Sequence, residues 1–298
     1  MDKILITGAS GFVGTNLQVY LKIFHEAVLV RVRYFNVHQF EINTDALIHL
    51  AGKAHDLKNT STSDDYYHVN TELTKEVFNA FLASDAKVFI TLSSVKAVAD
   101  QVDGELTEQH HPNPVTHYGK SKLLAEQYIF SKEIPDGKRV YVLRPCMIHG
   151  PGNKGNLNLL YKIVSKNIPW PLGAFENKRS FCSIDNLLFI FKELIERDDI
   201  PSGIYNVADD EPLSTNELIG LIAQSQNRKP KVWKISKSLI ETAARIGDKL
   251  HLPLNSERLH KLTSSYVVSN AKIKAAIGKP LPVSSREGLL KTFKSFNN

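Results

Sequence analysis

Two side chains four residues apart, Tyr118 and Lys122, form the pair in this sequence best suited to move a proton. On a helix such a pair shares one face. A phenol with a pKa of about 10 acts as a base near neutral pH only where a neighbouring cation stabilises the phenolate, and Lys122 is that cation. Incidental YxxxK pairs also occur on ordinary amphipathic helices, so this one gains meaning from its company. Ser93 and Ser94 follow an apolar run at 87–92 that reads as a strand, which would deliver both hydroxyls to the carboxyl edge of a sheet, where open α/β folds bind ligands. Gly8, Gly11 and Gly14 lie between the apolar run Ile4-Leu5-Ile6 and a helix start with Phe12, Val13 and Leu17. This strand, glycine turn and helix make a cradle for a dinucleotide pyrophosphate: glycines allow close backbone approach, and the helix N-terminus offers unpaired N–H groups. The spacing is GxxGxxG rather than GxGxxG, and glycine turns also close strand-to-helix units that bind nothing.

The elements that would position these groups follow in order. Strands are expected at 27–33, 46–50, 87–92, 138–143 and 204–207, and helices at 62–84, from 118 onward, at 157–166 and 186–196, after Ser214, and at 238–250. This alternation is the α/β class, a Rossmann-type doubly wound parallel sheet with a smaller C-terminal α/β region. A dinucleotide-binding domain is expected over 1–150, with segments near 180–207 returning to it, and a mainly substrate-binding region over 151–298. The Pro- and Gly-rich stretch 144–152 reads as a loop over the ligand crevice. Asn70 falls on the apolar side of the helix at 62–84, so its amide is either a cross-brace or an anchor for water. His49 has no second ligand at helical spacing and is expected to be packed and hydrogen-bonded.

An NAD site places an acid about 20 residues past the glycines, whereas a 2′-phosphate wants an arginine. No acid occurs from Ala27 to Phe40, and Arg31 and Arg33 stand there. The cofactor expected is therefore NADP(H), with NAD(H) the alternative if the arginines only decorate a solvated strand end.

With 298 residues, 42% hydrophobic and 23% charged, the chain can fill one large core or two small ones. No apolar run reaches the length of a membrane span and no leader is visible, so a cytoplasmic protein without membrane contact is expected. The amphipathic, basic helix at 238–250 is expected to pack on the core rather than lie on a bilayer. Cys146 and Cys182 lack metal-ligand spacing and read as small buried hydrophobes; no metal site is expected. The net charge of +6 is spread along the chain without interleaved aromatics, which suits a phosphate-bearing small ligand better than nucleic acid.

Thr7-Gly8-x-x-Gly11-x-x-Gly14, His49-x-Ala51-Gly52, Ser94, Tyr118-x-x-x-Lys122 and Leu143-Arg144-Pro145, in this order, resemble the extended short-chain dehydrogenase/reductases. More narrowly, they resemble the nucleotide-sugar epimerase/dehydratase group. The likeness continues through Arg179-x-Phe-x-x-Ile-Asp185, Tyr205-Asn206-Val207-Ala208 and the surroundings of Arg258. It implies that Ser94 hydrogen-bonds the reacting oxygen, that Tyr118 moves the proton, and that Lys122 holds the nicotinamide ribose and lowers the tyrosine pKa, with Asn70 supporting the lysine through water. It implies further cofactor contacts from Gly8, Ser10, Gly11, Phe12, Val13, Gly14, Arg31, Arg33, Leu50, Ala51, Gly52 and Pro145. Substrate contacts are implied for Lys96 and Asn156 beside Ser94 and Tyr118, and Arg179 and Arg258 match positions that grip the diphosphate. Sugar 4,6-dehydratases of the group carry Asp-Glu after the catalytic residue, and synthases that also epimerise at C3 and C5 carry Cys two positions on. Here Val95-Lys96 follow Ser94, which leaves hydride transfer at C4. The stretch 143–156 followed by Asn177-Lys-Arg-Ser180 is similar to reductases of UDP-linked 4-keto-6-deoxy-N-acetyl sugars used in polysaccharide synthesis; a UDP-hexose 4-epimerase and a non-catalytic NADP-binding sensor are the alternatives. A UDP-sugar partner is expected, with a homodimer as the assembly the group allows.

Overall fold

The computed structural model describes residues 2–30, 42–54, 62–153, 155–250 and 255–297, apart from the side chains of Asn156 and Asn297. Among the described residues the strands are β1 (Lys3–Thr7), β2 (Glu26–Val30), β3 (Ala46–His49), β4 (Val88–Leu92), β5 (Glu105–Leu106), β6 (Arg139–Pro145), β7 (Met147–His149), β8 (Phe181–Ser183), β9 (Gly203–Val207) and β10 (Val267–Val268). The helices are α1 (Phe12–Leu21), α2 (Ser63–Tyr67), α3 (Leu73–Ala83), α4 (His117–Phe130), α5 (Asn156–Ser165), α6 (Ile184–Glu196), α7 (Thr215–Ser225), α8 (Lys237–Leu250), α9 (Ser256–Thr263), α10 (Ala271–Ile277) and α11 (Ser285–Lys294).

A parallel sheet runs β2-β1-β3-β4-β6-β9, with Thr7 level with His49 and His49 level with Thr91. Strands buried on both faces read as continuous apolar runs, as β1 and β3 do. Their alternation sorts two cores. Ile4 and Ile6 face Leu17, Leu21, Leu187 and Phe191 from α1 and α6. Leu5 and Leu47 face Val77, Phe78, Phe81 and Ile129 from α3 and α4. The sheet is therefore covered on both sides, the doubly wound arrangement.

Beyond β6 an outer lobe gathers α5, α7 and α11 around Leu157, Phe181, Ile222 and Phe293. There α8 and α9 pack on Trp170, Leu172 and Ile219. The chain returns to the main sheet through β9, which pairs with β6.

Three differences from the sequence reading have local causes. The stretch expected as a loop at 144–152 keeps strand character, because β6 extends to Pro145 against Val207 and β7 pairs with β8. Proline lacks only an N–H, and the next residue supplies one, Cys146 N donating to Val207 O at 3.0 Å, so its presence did not end the pairing. The helix expected over 62–84 is one run interrupted by a π-helical turn at His68–Glu72, which buries Asn70 and Thr71; such turns insert an extra residue and re-aim side chains. Strand β2 ends at Val30, and the rest of the strand expected to 33, with Arg31 and Arg33, lies outside the described residues.

Candidate active site

The glycine loop can be built only from glycine at two of its positions. Gly8 has φ +69°, and a Cβ there would lie 2.4 Å from the Ala51 nitrogen; one at Gly14 would lie 2.5 Å from the Gly8 carbonyl oxygen. The loop thus sits directly on the Leu50-Ala51 backbone that continues β3. Gly11 caps α1 without a side-chain hydrogen bond, so no side chain claims the first N–H groups, those of Phe12 and Val13. An uncapped helix start above a loop with no room for side chains fits a pyrophosphate. Gly8→Ala is expected to lower dinucleotide affinity at least about tenfold, from left-handed strain plus displacement of 50–51, with the circular dichroism unchanged; titration calorimetry with NAD and NADPH measures it.

The wall of the crevice is held from behind by Asn70. Its Oδ1 accepts from Lys53 N at 2.8 Å, while its Nδ2 donates to Lys53 O at 3.0 Å and to Ser121 Oγ at 3.0 Å. Thr71 Oγ1 donates to Ser121 O at 2.8 Å. The π-helical turn therefore clamps the end of β3 to α4 one residue before Lys122. A Cβ on Gly52 would lie 3.1 Å from Lys122 Nζ and 3.3 Å from Asn70 Oδ1, so glycine at 52 makes room for the ammonium. Asn70 acts here through direct bonds, as a cross-brace.

His49 stands beneath this clamp, wholly buried. Its Nε2 lies 3.1 Å from Thr74 Oγ1, and its Nδ1 lies 2.8 Å from Thr7 Oγ1. Thr74 spends its hydroxyl proton on Asn70 O at 2.8 Å, so it accepts from the imidazole, and Thr7 donates to Nδ1. The ring is neutral. Burial, reinforced by the charge on Lys122, pushes its pKa down to about 3. The unfolded chain then binds a proton that the folded one refuses between about pH 6.5 and about 3, so stability drains away as pH falls through that window. His49→Gln is expected to flatten the acid limb of a urea-midpoint-against-pH curve there.

The phenol and hydroxyl meet because α4 begins against the 3₁₀ turn Val95–Ala97. Ser94 caps that turn, accepting from Lys96 N at 3.2 Å, and Thr116 caps α4, accepting from Gly119 N at 3.1 Å. A Cβ on Gly119 would lie 2.3 Å from Lys96 O, so only glycine lets the helix seat so closely. Tyr118 then stands beside the Ser94 side chain, and its ring packs edge-on to Tyr66 at 6.4 Å between centroids. Burial holds the phenol above its ordinary range, and the Ser94 hydroxyl is the influence that opposes it. Lys122, expected to lower the phenol, is not among the groups that shift it; its Nζ donates to Leu92 O at 2.8 Å. Burial brings the Lys122 pKa down to about 8, and the carboxylate of Glu126 one helical turn on holds it up.

Glu126 was missed by sequence reasoning, although it lies four residues after Lys122. It is 3% exposed and accepts from Arg144 Nε at 2.9 Å, from Arg144 Nη2 at 2.5 Å and from Ser93 Oγ. One carboxylate thus ties α4, the end of β4 and the end of β6 together, directly before Pro145.

A second group of charges flanks Ser94. Lys96 is half-buried, donates to Asp100 O at 2.9 Å and lies over the Tyr266 ring at 4.3 Å. Burial lowers its pKa, Asp100 raises it, and the positive charge of Arg179 lowers it again. Two cations are therefore held close together, which suits an anion placed between them. Arg179 also donates Nε to Ser264 O at 3.1 Å and Nη2 to Lys261 O and Ser264 Oγ, the backbone end of α9. Arg258 is exposed on α9. Asn156 opens α5, and its side chain, like Arg31 and Arg33, lies outside the described residues. Ser10 is exposed in the glycine loop, Val13 and Phe12 pack against the core, and a Cβ on Gly150 would lie 3.3 Å from the ring of Phe12.

His149 is a brace, wholly buried, with Nδ1 2.9 Å from Thr292 Oγ1 and Nε2 3.4 Å from Asp209 Oδ2. Both cysteine thiols are buried, which pushes their pKa well up and leaves them unreactive. Among the described residues no cluster of ligating side chains could hold a metal ion, and no helix is long and apolar enough to cross a membrane.

The chain is 29% identical to a UDP-glucose 4-epimerase of Vibrio cholerae, over 99% of this chain and 95% of that one. It is 25% identical to a GDP-6-deoxy-D-mannose reductase of Pseudomonas aeruginosa, over 88% and 91%. Its fold is similar to the solved UDP-N-acetylglucosamine 4-epimerase of Bacillus cereus, with a TM-score of 0.77, 18% identity and 99% of each chain covered. The model of the NAD dependent epimerase/dehydratase family matches residues 4–208. That stretch runs from the second residue of β1 to the residue after β9, the whole of the main sheet, and on that match the chain belongs to the NAD dependent epimerase/dehydratase family.

Proposed function

We propose that the protein reduces a UDP-linked 4-keto sugar at C4, of the 4-keto-6-deoxy-N-acetylhexosamine kind used in polysaccharide synthesis, with NADPH the preferred cofactor and NADH the alternative. The observation that carries this reading is the close seating of α4 on the turn after β4, which puts the Tyr118 phenol beside Ser94, with burial holding that phenol above its ordinary range. Reduction of a ketone needs an acid at its oxygen, and a phenol held above its ordinary range is in the acid form from the start. When bound, the nicotinamide supplies the hydride. Tyr118 then gives its proton to O4, Ser94 holds the same oxygen, and Lys122, placed by Asn70 and Gly52, holds the ribose. Val95 is buried and apolar, and the Lys96 ammonium is engaged with the Asp100 carbonyl, so no second acid–base pair stands beside Ser94 for an elimination. Lys96 and Arg179 supply the positive charge for a diphosphate. Arg31 and Arg33, without an acid nearby in sequence, support NADPH.

A UDP-hexose 4-epimerase is the second reading, favoured by the likeness to the Vibrio cholerae enzyme across nearly the whole chain. Purified protein separates the two. Stoichiometric consumption of added NADPH on presentation of a UDP-4-keto-6-deoxy-N-acetylhexosamine supports the reductase. Equilibration of UDP-glucose or UDP-N-acetylglucosamine with its 4-epimer, without added cofactor being consumed, overturns it in favour of the epimerase.

A further inference from the structure

One helix leaves apolar surface that neither the core nor the active site uses. Helix α8 packs through Ile240, Ala244 and Gly247 onto the outer lobe, which the sequence reading expects in place of contact with a bilayer, yet this packing uses only part of its surface. A second stripe does not pack: Leu239 is 65% exposed, Ile246 50% and Leu250 64%, and Ala243 is exposed between them. Spacings of four, three and four residues put these side chains on one face of the helix, beside the buried one. Trp233, in the segment leading to α8, is 58% exposed.

Basic residues occur all along the chain, but their excess over acids, read from the sequence as evenly spread, lies largely on this same stretch. Residues 228–250 hold seven lysines and arginines against Glu241 and Asp248, a formal +5 of the chain's +6. All seven basic side chains are exposed. Next to them is a shallow groove with Val164, Ile168 and Ile219 in its lining and Arg228, Lys229 and Lys231 among its polar side chains.

A second copy of the chain is a poor occupant for this face, since a two-fold contact would set +5 against +5. A nucleic acid would use the charge and leave the leucines in water. An anionic bilayer uses both: its headgroups meet the lysines, and its acyl boundary takes the apolar stripe and the tryptophan. We propose that α8 and the segment before it form a membrane-surface site, on which the protein rests reversibly against acidic phospholipid.

This goes beyond the proposed reaction and is tested without it. The full chain is sedimented with vesicles of phosphatidylcholine alone and with vesicles of equal parts phosphatidylcholine and phosphatidylglycerol, at low and high salt. Expected is partition onto the anionic vesicles only, weakened by salt, and reduced at least about tenfold in Leu239→Ser/Ile246→Ser/Leu250→Ser, since each leucine-sized side chain loses several methylene groups' worth of burial. Lys231→Ser/Lys234→Ser should lower it by charge alone. These side chains are exposed, so the variants keep the wild-type melting curve, which is recorded with them. No partition, equal partition of the triple variant, a dimer that the triple variant dissolves, or retention on RNA in place of vesicles each overturns the proposal, while NADPH consumption with a soluble UDP-sugar reports on the active-site reading separately.

Discussion

Tyr118→Phe is expected to lose about 10²- to 10⁴-fold in turnover, the range that one well-placed proton transfer supplies. The substitution removes a single O–H. It keeps the ring against Tyr66 and leaves Gly119 seated on the Lys96 carbonyl, so the start of α4 should not move. The proposed cofactor cradle is built from other elements, chiefly the glycine loop, the backbone after β3 and Lys122. Cofactor affinity should therefore stay within about twofold, while kcat collapses and KM changes little, the pattern of an interaction made only in the transition state. Steady-state turnover together with a fluorescence titration of NADPH measures both. Turnover within about tenfold of wild type would mean that the proton comes from elsewhere, and with that the assignment of Tyr118 as the acid would fall.

Glu126→Ala should be the most damaging single change to stability near the site. Arg144 and Glu126 are 3% exposed each, and removing one partner leaves the other charged and buried, at about 3–5 kcal/mol. For a chain of this size that is a fall in Tm on the order of 10 °C. Glu126→Gln is the more informative variant, because an amide keeps the shape and can still accept from Ser93 and Arg144. It removes the negative charge that holds the Lys122 pKa at about 8, so Lys122 should lose its proton at lower pH. The sign follows: the cationic lysine needed beside the ribose is present below its pKa and lost above it, so the alkaline limb of the kcat profile should move toward neutrality. A residue that only stiffened the helix would lower Tm and leave that limb in place. Arg144→Met combined with Glu126→Met should recover much of the Tm but not the limb, which separates packing from charge.

Much of the fold was legible in the sequence because strands buried on both faces announce themselves as unbroken apolar runs. Ile4-Leu5-Ile6 and Ala46-Leu47-Ile48 needed no knowledge of their neighbours. The glycine loop was legible too, since it answers to a steric demand that only one residue type meets. The strand β7 was not, because its residues lie between prolines and glycines, and its pairing with β8 spans some thirty residues of sequence. The π-helical turn leaves no mark in an apolar period, as the helix on either side keeps its buried face. Within the site, Tyr118, Lys122 and Ser94 were visible by type and spacing. Glu126 was hidden in plain view at the next turn of the same helix, where a lone acid reads as solvent-facing until its arginine partner arrives from another strand. For Arg179, the sequence named a charge and the fold supplied a second duty, the carbonyl end of α9.

The tie between His149 and Thr292 has a consequence for how the molecule is made. Strands β1 to β6 leave the ribosome before the outer lobe and can begin to pair with one another, as earlier-made units generally do. The outer lobe has no such freedom, because α11, which follows α7 only after α8, α9 and α10, packs on α7 and supplies both the Thr292 hydroxyl and the Phe293 ring to its interior. The nascent chain therefore carries a half-finished lobe with exposed leucines until α11 emerges, and a premature stop shortly before Ser285 would release a main sheet with an unclosed lobe, which chaperones hold and proteases clear.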